Sequence, residues 1–143
     1  VGDSLRLGEL RGVALQYAPD WQTRPLWLLA SGTGLGPLWG VLREALRQDH
    51  QGAIRLIHLA HDADGHYLAG PLAELAAHHS NLTVELWTAP QLNQALAQLR
   101  LASRQTLALL CGHPVSVEAF SKRLFLAGLP RNQLLADVFL PRG

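Results

Sequence analysis

The sequence predicts an α/β fold, a doubly wound parallel sheet of five strands. Two observations carry this. Short apolar runs alternate with stretches whose apolar residues recur every three or four positions. The first run, Leu26 to Ser31, is apolar at almost every position and lies between Pro25 and Gly32, as expected of a strand buried on both faces.

The elements follow in order. Residues 4–11 and 13–17 cluster apolar residues around Gly12 and read as a short β hairpin, the expected end of a preceding domain over residues 1–20. The strand at 26–31 leads to a helix from Pro37 to about Arg47, with Leu38, Val41, Leu42 and Ala45 at helical spacing and proline in the first turn, where its missing N–H is not needed. A second strand is expected at 53–59, a helix at 71–78 and a third strand at 82–87. Residues 91–101 read as a helix by their leucine and alanine spacing, 106–110 as a strand, and 115–127 as a helix closed by Gly128. The last strand is expected over 134–140. Right-handed crossovers between such strands place helices on both faces of the sheet.

Composition narrows the function. The 143 residues carry a formal net charge of +1 and 6% aromatic residues, which leaves neither the basic field nor the stacking platform of a nucleic-acid binder. The single cysteine, Cys111, excludes a disulfide framework or an all-cysteine metal centre within the chain and suggests a reducing, cytoplasmic setting. No apolar run approaches the roughly 20 residues that span a bilayer, so no membrane partner is expected. The chain contains no methionine and starts Val1-Gly2-Asp3, and is expected to be a piece of a longer protein.

In a doubly wound sheet the ligand binds at the carboxyl ends of the strands, where strand order reverses. Two loops there carry chemistry. Gly32-Thr33-Gly34-Leu35-Gly36-Pro37 follows the first strand and opens a helix, so its glycines allow close backbone approach and the first amides of the helix favour an anion. The turn is not the GxGxxG fingerprint and lacks the lysine of a P-loop. Cys111-Gly112-His113-Pro114 follows the fourth strand and also opens a helix. In a 3-2-1-4-5 order the two loops face one crevice.

These motifs, with Asp137-Val138-Phe139 near the end, resemble the pyridine-nucleotide-binding domain of the ferredoxin-NADP reductase superfamily, in its oxygenase-reductase-like branch. That domain shows Gly-Thr-Gly-x-x-Pro after its first strand, Cys-Gly-x-Pro after a later one, and an acidic residue two places before an aromatic at its end. The resemblance covers about residues 21–141. It implies a Rossmann-like NAD(P)-binding domain over 21–143 and, for residues 1–20, with Gly2-Asp3 and Gly12, the C-terminal remnant of a flavin-binding β-barrel. It further implies that the Gly32 to Pro37 turn holds the dinucleotide's pyrophosphate. Cys111, beside Gly112, His113 and Pro114, would lie at the nicotinamide, and Asp137 and Phe139 would line the flavin side. Hydride would pass to FAD bound by another domain of the parent chain, and electrons onward to a 2Fe-2S ferredoxin domain or protein or another acceptor. The family's Arg-x-Tyr-Ser/Thr flavin motif is missing, so this chain alone is not expected to hold FAD.

The second strand's end should select the cofactor, because the adenosine ribose sits there. The turn His61-Asp62-Ala63-Asp64-Gly65-His66 holds no arginine or lysine to meet a 2′-phosphate, which points to NADH over NADPH. Asp62 would accept from a ribose hydroxyl, with His61 beside it, and Tyr67 would flank the adenine. The spacing of His58, His61, His66, His78 and His79 matches no zinc pattern, and no metal site is expected. Ser31 lacks the preceding glycine of a nucleophile elbow. Two readings stay open: the nucleotide domain of a flavin-dependent oxidoreductase, or a binding or sensing module that keeps the fold without the chemistry.

Overall fold

A computed structural model describes residues 17–101 and 103–138. The expected hairpin up to residue 16, the Gly2-Asp3 and Gly12 matches, and Phe139 lie outside the described residues. Five strands, β1 (Leu26–Ser31), β2 (Ile54–Ala60), β3 (Leu82–Thr88), β4 (Leu107–Gly112) and β5 (Leu134–Val138), pair in parallel in the order β3-β2-β1-β4-β5. Four helices connect them: α1 (Leu35–Arg47), α2 (Ala69–His78), α3 (Leu92–Ala97) and α4 (Pro114–Leu126).

The alternation of side chains along β1 divides the core. Leu26, Leu28 and Ala30 pack with Leu35, Leu38, Val41 and Leu42 of α1 and Leu72 of α2. Trp27 and Leu29 pack with Val117, Phe120 and Leu124 of α4 and, more loosely, Leu92 and Leu96 of α3. Every residue of β1 is buried, as a central strand covered on both faces requires. Tyr17 also belongs to the α1 side of the core, stacked edge-on against Trp21 at 5.7 Å.

Most element boundaries agree with the sequence reading to within two residues, and α3 differs most. The spacing predicts a helix to residue 101, yet it ends at Ala97. Arg55 on β2 donates to the Gln98 carbonyl at 3.1 Å, and Arg123 on α4 donates to that of Leu96 at 2.9 Å, satisfying acceptors that a helix end leaves open. The chain beyond turns inward to bury Leu99. Arg55 is itself held by a two-point pairing with Glu85 on β3 and by the face of Trp27 at 4.8 Å.

Two buried histidines make stability depend on pH. His50 donates from Nε2 to the Arg24 carbonyl at 2.9 Å and accepts the Tyr17 hydroxyl at Nδ1, 2.8 Å away. Burial pushes its pKa below the ordinary 6.5, the Arg24 carbonyl opposing, and burial does the same to His58. Below about pH 6.5 the unfolded chain therefore binds more protons than the folded one, and stability falls as pH drops towards the folded values. Melting temperature should decline from about pH 7.5 to about pH 5.5. His50→Gln, which keeps a donor for Arg24, should lose part of that slope; an unchanged slope would remove His50 as a source.

Candidate functional site

The two glycine-bearing motifs are locked together at the carboxyl ends of β1 and β4. After Ser31, Gly32 takes a left-handed conformation at φ +59°, and Gly32–Gly34 form a single 3-10 turn that runs straight into α1. A Cβ on Gly34 would lie 2.2 Å from the Cys111 carbonyl oxygen and 2.7 Å from the Gly112 Cα. On the other side Gly112 sits at φ +137°, where a Cβ would lie 2.2 Å from the Ser31 oxygen. Turn and strand therefore meet backbone to backbone. The sequence reading put Cys111 and Gly112 after the strand; they are its last two residues.

The helix starts add donors. Pro37 stands in the first turn of α1, where its missing N–H costs no helical hydrogen bond and the amides of Gly34, Leu35 and Gly36 have no partner within the helix. His113 caps α4, its Nδ1 accepting from the Val115 amide at 3.3 Å, and Pro114 is the first helical residue. No side-chain atoms would lie within 4 Å of a Cβ at Gly32 or Gly36, and Thr33 is exposed, so the outer surface of the turn is open to a ligand.

Register brings the Cys motif and the C-terminal motif together. Ala30 pairs with His58 on β2 and Cys111 on β4, and Cys111 pairs with Asp137 on β5. Cys111 is buried on the α1 side of the sheet.

On the opposite face, over the end of β1, lies a crevice of about 470 Å³. Ser31 and Gly32 form its floor, Leu59, Ala60 and His61 one wall, Ala89 and Leu92 another, and His113, Val115 and Ser116 the start of α4. A larger apolar groove, about 580 Å³ and lined by Phe125, Leu126, Leu129 and Leu134, lies at the amino end of the sheet, away from the glycine turn.

Of the residues expected after β2, only His61 lines this crevice. Asp62 is exposed and its Oδ1 accepts from the Asp64 amide at 3.1 Å, which makes it the pivot of its own turn. Tyr67 stands on the other side of the glycine turn. Burial raises its phenol pKa, while the Gly36 amide donates to the hydroxyl and opposes that rise, and Cys111 lies near enough to add to it. The structure thus places Tyr67 with the α1 start and Cys111. Sequence reasoning missed Ala89 and Leu92 on one side, and Val115 and Ser116 on the other. Ala89 follows β3 directly, so the rule that strand ends carry the site was the signal for it. Among the described residues no three His, Cys, Asp or Glu side chains cluster as metal ligands would, and no helix is long and apolar enough to cross a membrane.

Comparison with known proteins agrees with this geometry. Residues 28–122 match the family model of the oxidoreductase NAD-binding domain. The ferredoxin–NAD(P)(+) reductase component of the naphthalene 1,2-dioxygenase system of Pseudomonas putida is 30% identical over 152 residues, covering 99% of this chain and 46% of the relative. A Ralstonia reductase component of naphthalene 1,2-dioxygenase and salicylate 5-hydroxylase systems is also 30% identical, with 100% and 46% covered. The chain therefore spans about half the length of the curated relatives it matches. Among solved structures, the Amycolatopsis cytochrome P450 reductase superposes with a TM-score of 0.73 at 25% identity, covering 86% of this chain and 40% of that one. The FAD/NAD-binding domain of a Vibrio cholerae nitric oxide dioxygenase gives 0.72 at 22% identity, with 82% and 52% covered. With its five-stranded sheet and its interlocked glycine motifs, the chain belongs to the oxidoreductase NAD-binding domain family, within the ferredoxin-NADP reductase superfamily.

Proposed function

We propose that this chain holds NADH across the carboxyl ends of β1, β2 and β4 and presents its nicotinamide to FAD on another domain of the same parent protein. When both are bound, the dihydropyridine supplies hydride and the flavin accepts it, electrons then passing to a 2Fe-2S ferredoxin or another acceptor. The observation that supports this best is the backbone interlock of Gly34 with Cys111 and Gly112, which joins a phosphate-seating turn to the residue proposed to stand at the reacting ring. The residues fit such a ligand: the turn is open outward, and the adjoining crevice combines apolar walls with Ser31, His61 and Ser116.

In this reading the chain positions its ligand and does no covalent chemistry. Backbone amides of the turn and the Thr33 hydroxyl donate to the pyrophosphate, while Leu59, Ala89 and Leu92 exclude water from the adenosine half. Cys111, with Asp137 its register partner, borders the ring, and the family resemblance assigns Asp137 and Phe139 to the flavin side. The curated relatives, named as reductase components that serve ferredoxin, support the same acceptor here. The cysteine usage supports a cytoplasmic setting.

The preference for NADH rests on charge. No arginine or lysine lines the crevice, so a 2′-phosphate would meet only His61 and His113. Calorimetric titration of this chain is expected to give tighter binding of NADH than of NADPH, with no FAD retained in the absorbance spectrum. Equal or reversed affinities would overturn the preference, and binding of neither nucleotide by the chain joined to its flavin domain would overturn the assignment.

A further inference from the structure

His58 is the one polar side chain of β2 with no solvent exposure, and it points into the α1 side of the core directly behind the glycine turn. Its Nε2 lies 2.9 Å from the carbonyl oxygen of Gly32. A carbonyl only accepts, so Nε2 carries the hydrogen. In the neutral ring Nδ1 is then a bare acceptor, and the Nδ1 of His66, 3.2 Å away, must be its donor. The two rings meet edge to face at 5.0 Å, and Tyr67 closes against His58 at 5.8 Å. Burial holds the His58 pKa below the usual value and keeps the ring in this neutral form, although the Gly32 carbonyl pulls the other way.

The consequence falls on the peptide between Gly32 and Thr33. A planar trans peptide points its N–H opposite to its C=O. With the Gly32 oxygen tied back to His58, the Thr33 amide faces away from the α1 side, towards the surface that also borders the crevice. Gly32, left-handed at φ +59° with nothing crowding its Cα, has the freedom to turn this peptide over, and a flipped peptide would show an incoming anion a carbonyl oxygen instead of an N–H.

We propose that His58 is a positioning residue for nucleotide binding: it locks the Gly32–Thr33 peptide so that the Thr33 amide meets the diphosphate, and His66 fixes the tautomer that lets it do so. This rests on the reading of the turn as the diphosphate seat. The pair is distinct from the residues proposed to touch the nucleotide, because His58 acts through Gly32 from inside the core.

The test compares the chain with His58→Phe, His58→Gln and His66→Phe, each titrated with NADH and with adenosine, which lacks the diphosphate, and each melted to check folding. His58→Phe should bind NADH roughly tenfold more weakly and adenosine as before. His58→Gln, whose amide can donate to Gly32, should recover most of the loss, and His66→Phe should show a smaller loss of the same kind. Unchanged NADH affinity in His58→Phe, or an equal loss for adenosine, would reduce His58 to a core filler. Should His58→Phe fail to fold, His66→Phe decides, since wild-type NADH affinity there would overturn the proposal. Absence of NADH binding by the wild-type chain joined to its flavin domain would overturn the diphosphate seat itself, whereas binding without sensitivity to these variants would overturn only the role of His58.

Discussion

Gly34→Ala is expected to remove about 3 kcal/mol of folding stability, a large part of the total for a domain of this size. The added methyl would sit 2.2 Å from the Cys111 carbonyl oxygen, and the atoms in its way are backbone. Neither side can yield cheaply, because Ala30 and Cys111 are paired strand residues at the centre of the sheet. Gly32→Ala provides the contrast. Nothing lies within 4 Å of its Cβ position, so its cost is only that of a left-handed conformation at φ +59°, about 1–2 kcal/mol. Urea unfolding followed by circular dichroism would rank the two, and a Gly34→Ala protein as stable as wild type would show that the interlock does not hold the fold.

Ser116→Trp is expected to reduce NADH affinity by at least about thirtyfold, near 2 kcal/mol, while changing stability by less than about 1 kcal/mol. Ser116 is partly exposed on the first turn of α4, and an indole there would project into the crevice of about 470 Å³ that the proposed function gives to the adenosine half. The substitution touches neither the glycine turn nor Cys111. A folded variant that binds NADH as the wild type does would place the nucleotide elsewhere, on the Tyr67 side of the turn.

The strands, the helices and the two glycine loops at strand ends were legible in the sequence because they are local pattern: an apolar run, a glycine turn and a proline-led helix, repeated. The 3-2-1-4-5 order that brings the Gly32 and Cys111 loops together came with the doubly wound fold class. What escaped was non-local. The end of α3 depends on Arg55 and Arg123 reaching it from β2 and α4, so leucine spacing alone extends the helix too far. The contact of the Tyr67 hydroxyl with the Gly36 amide could not be read from the sequence, because only the packing of the chain after β2 creates it. Ala89, Leu92 and Val115 line the crevice with ordinary apolar side chains that carry no chemical signature. His58 was weighed only as a metal ligand, and its partner proved to be a backbone carbonyl contributed by β1's turn.

The position of β1 also bears on how the protein is made. Its residues leave the ribosome first among the five strands of this sheet, yet one of its two edges is completed only by β4, after β2, α2, β3 and α3 have been synthesised. Until then a nascent chain carries an open strand edge flanked by Trp27, Leu28 and Leu29, the kind of template on which neighbouring chains aggregate. Arrival of Leu107–Gly112 closes that edge and, through Gly34 and Gly112, gives the Gly32–Gly34 turn its backbone counterpart in the same event. A truncated or stalled product therefore has no half-formed site; it has an adhesive strand and a loop without its counterpart.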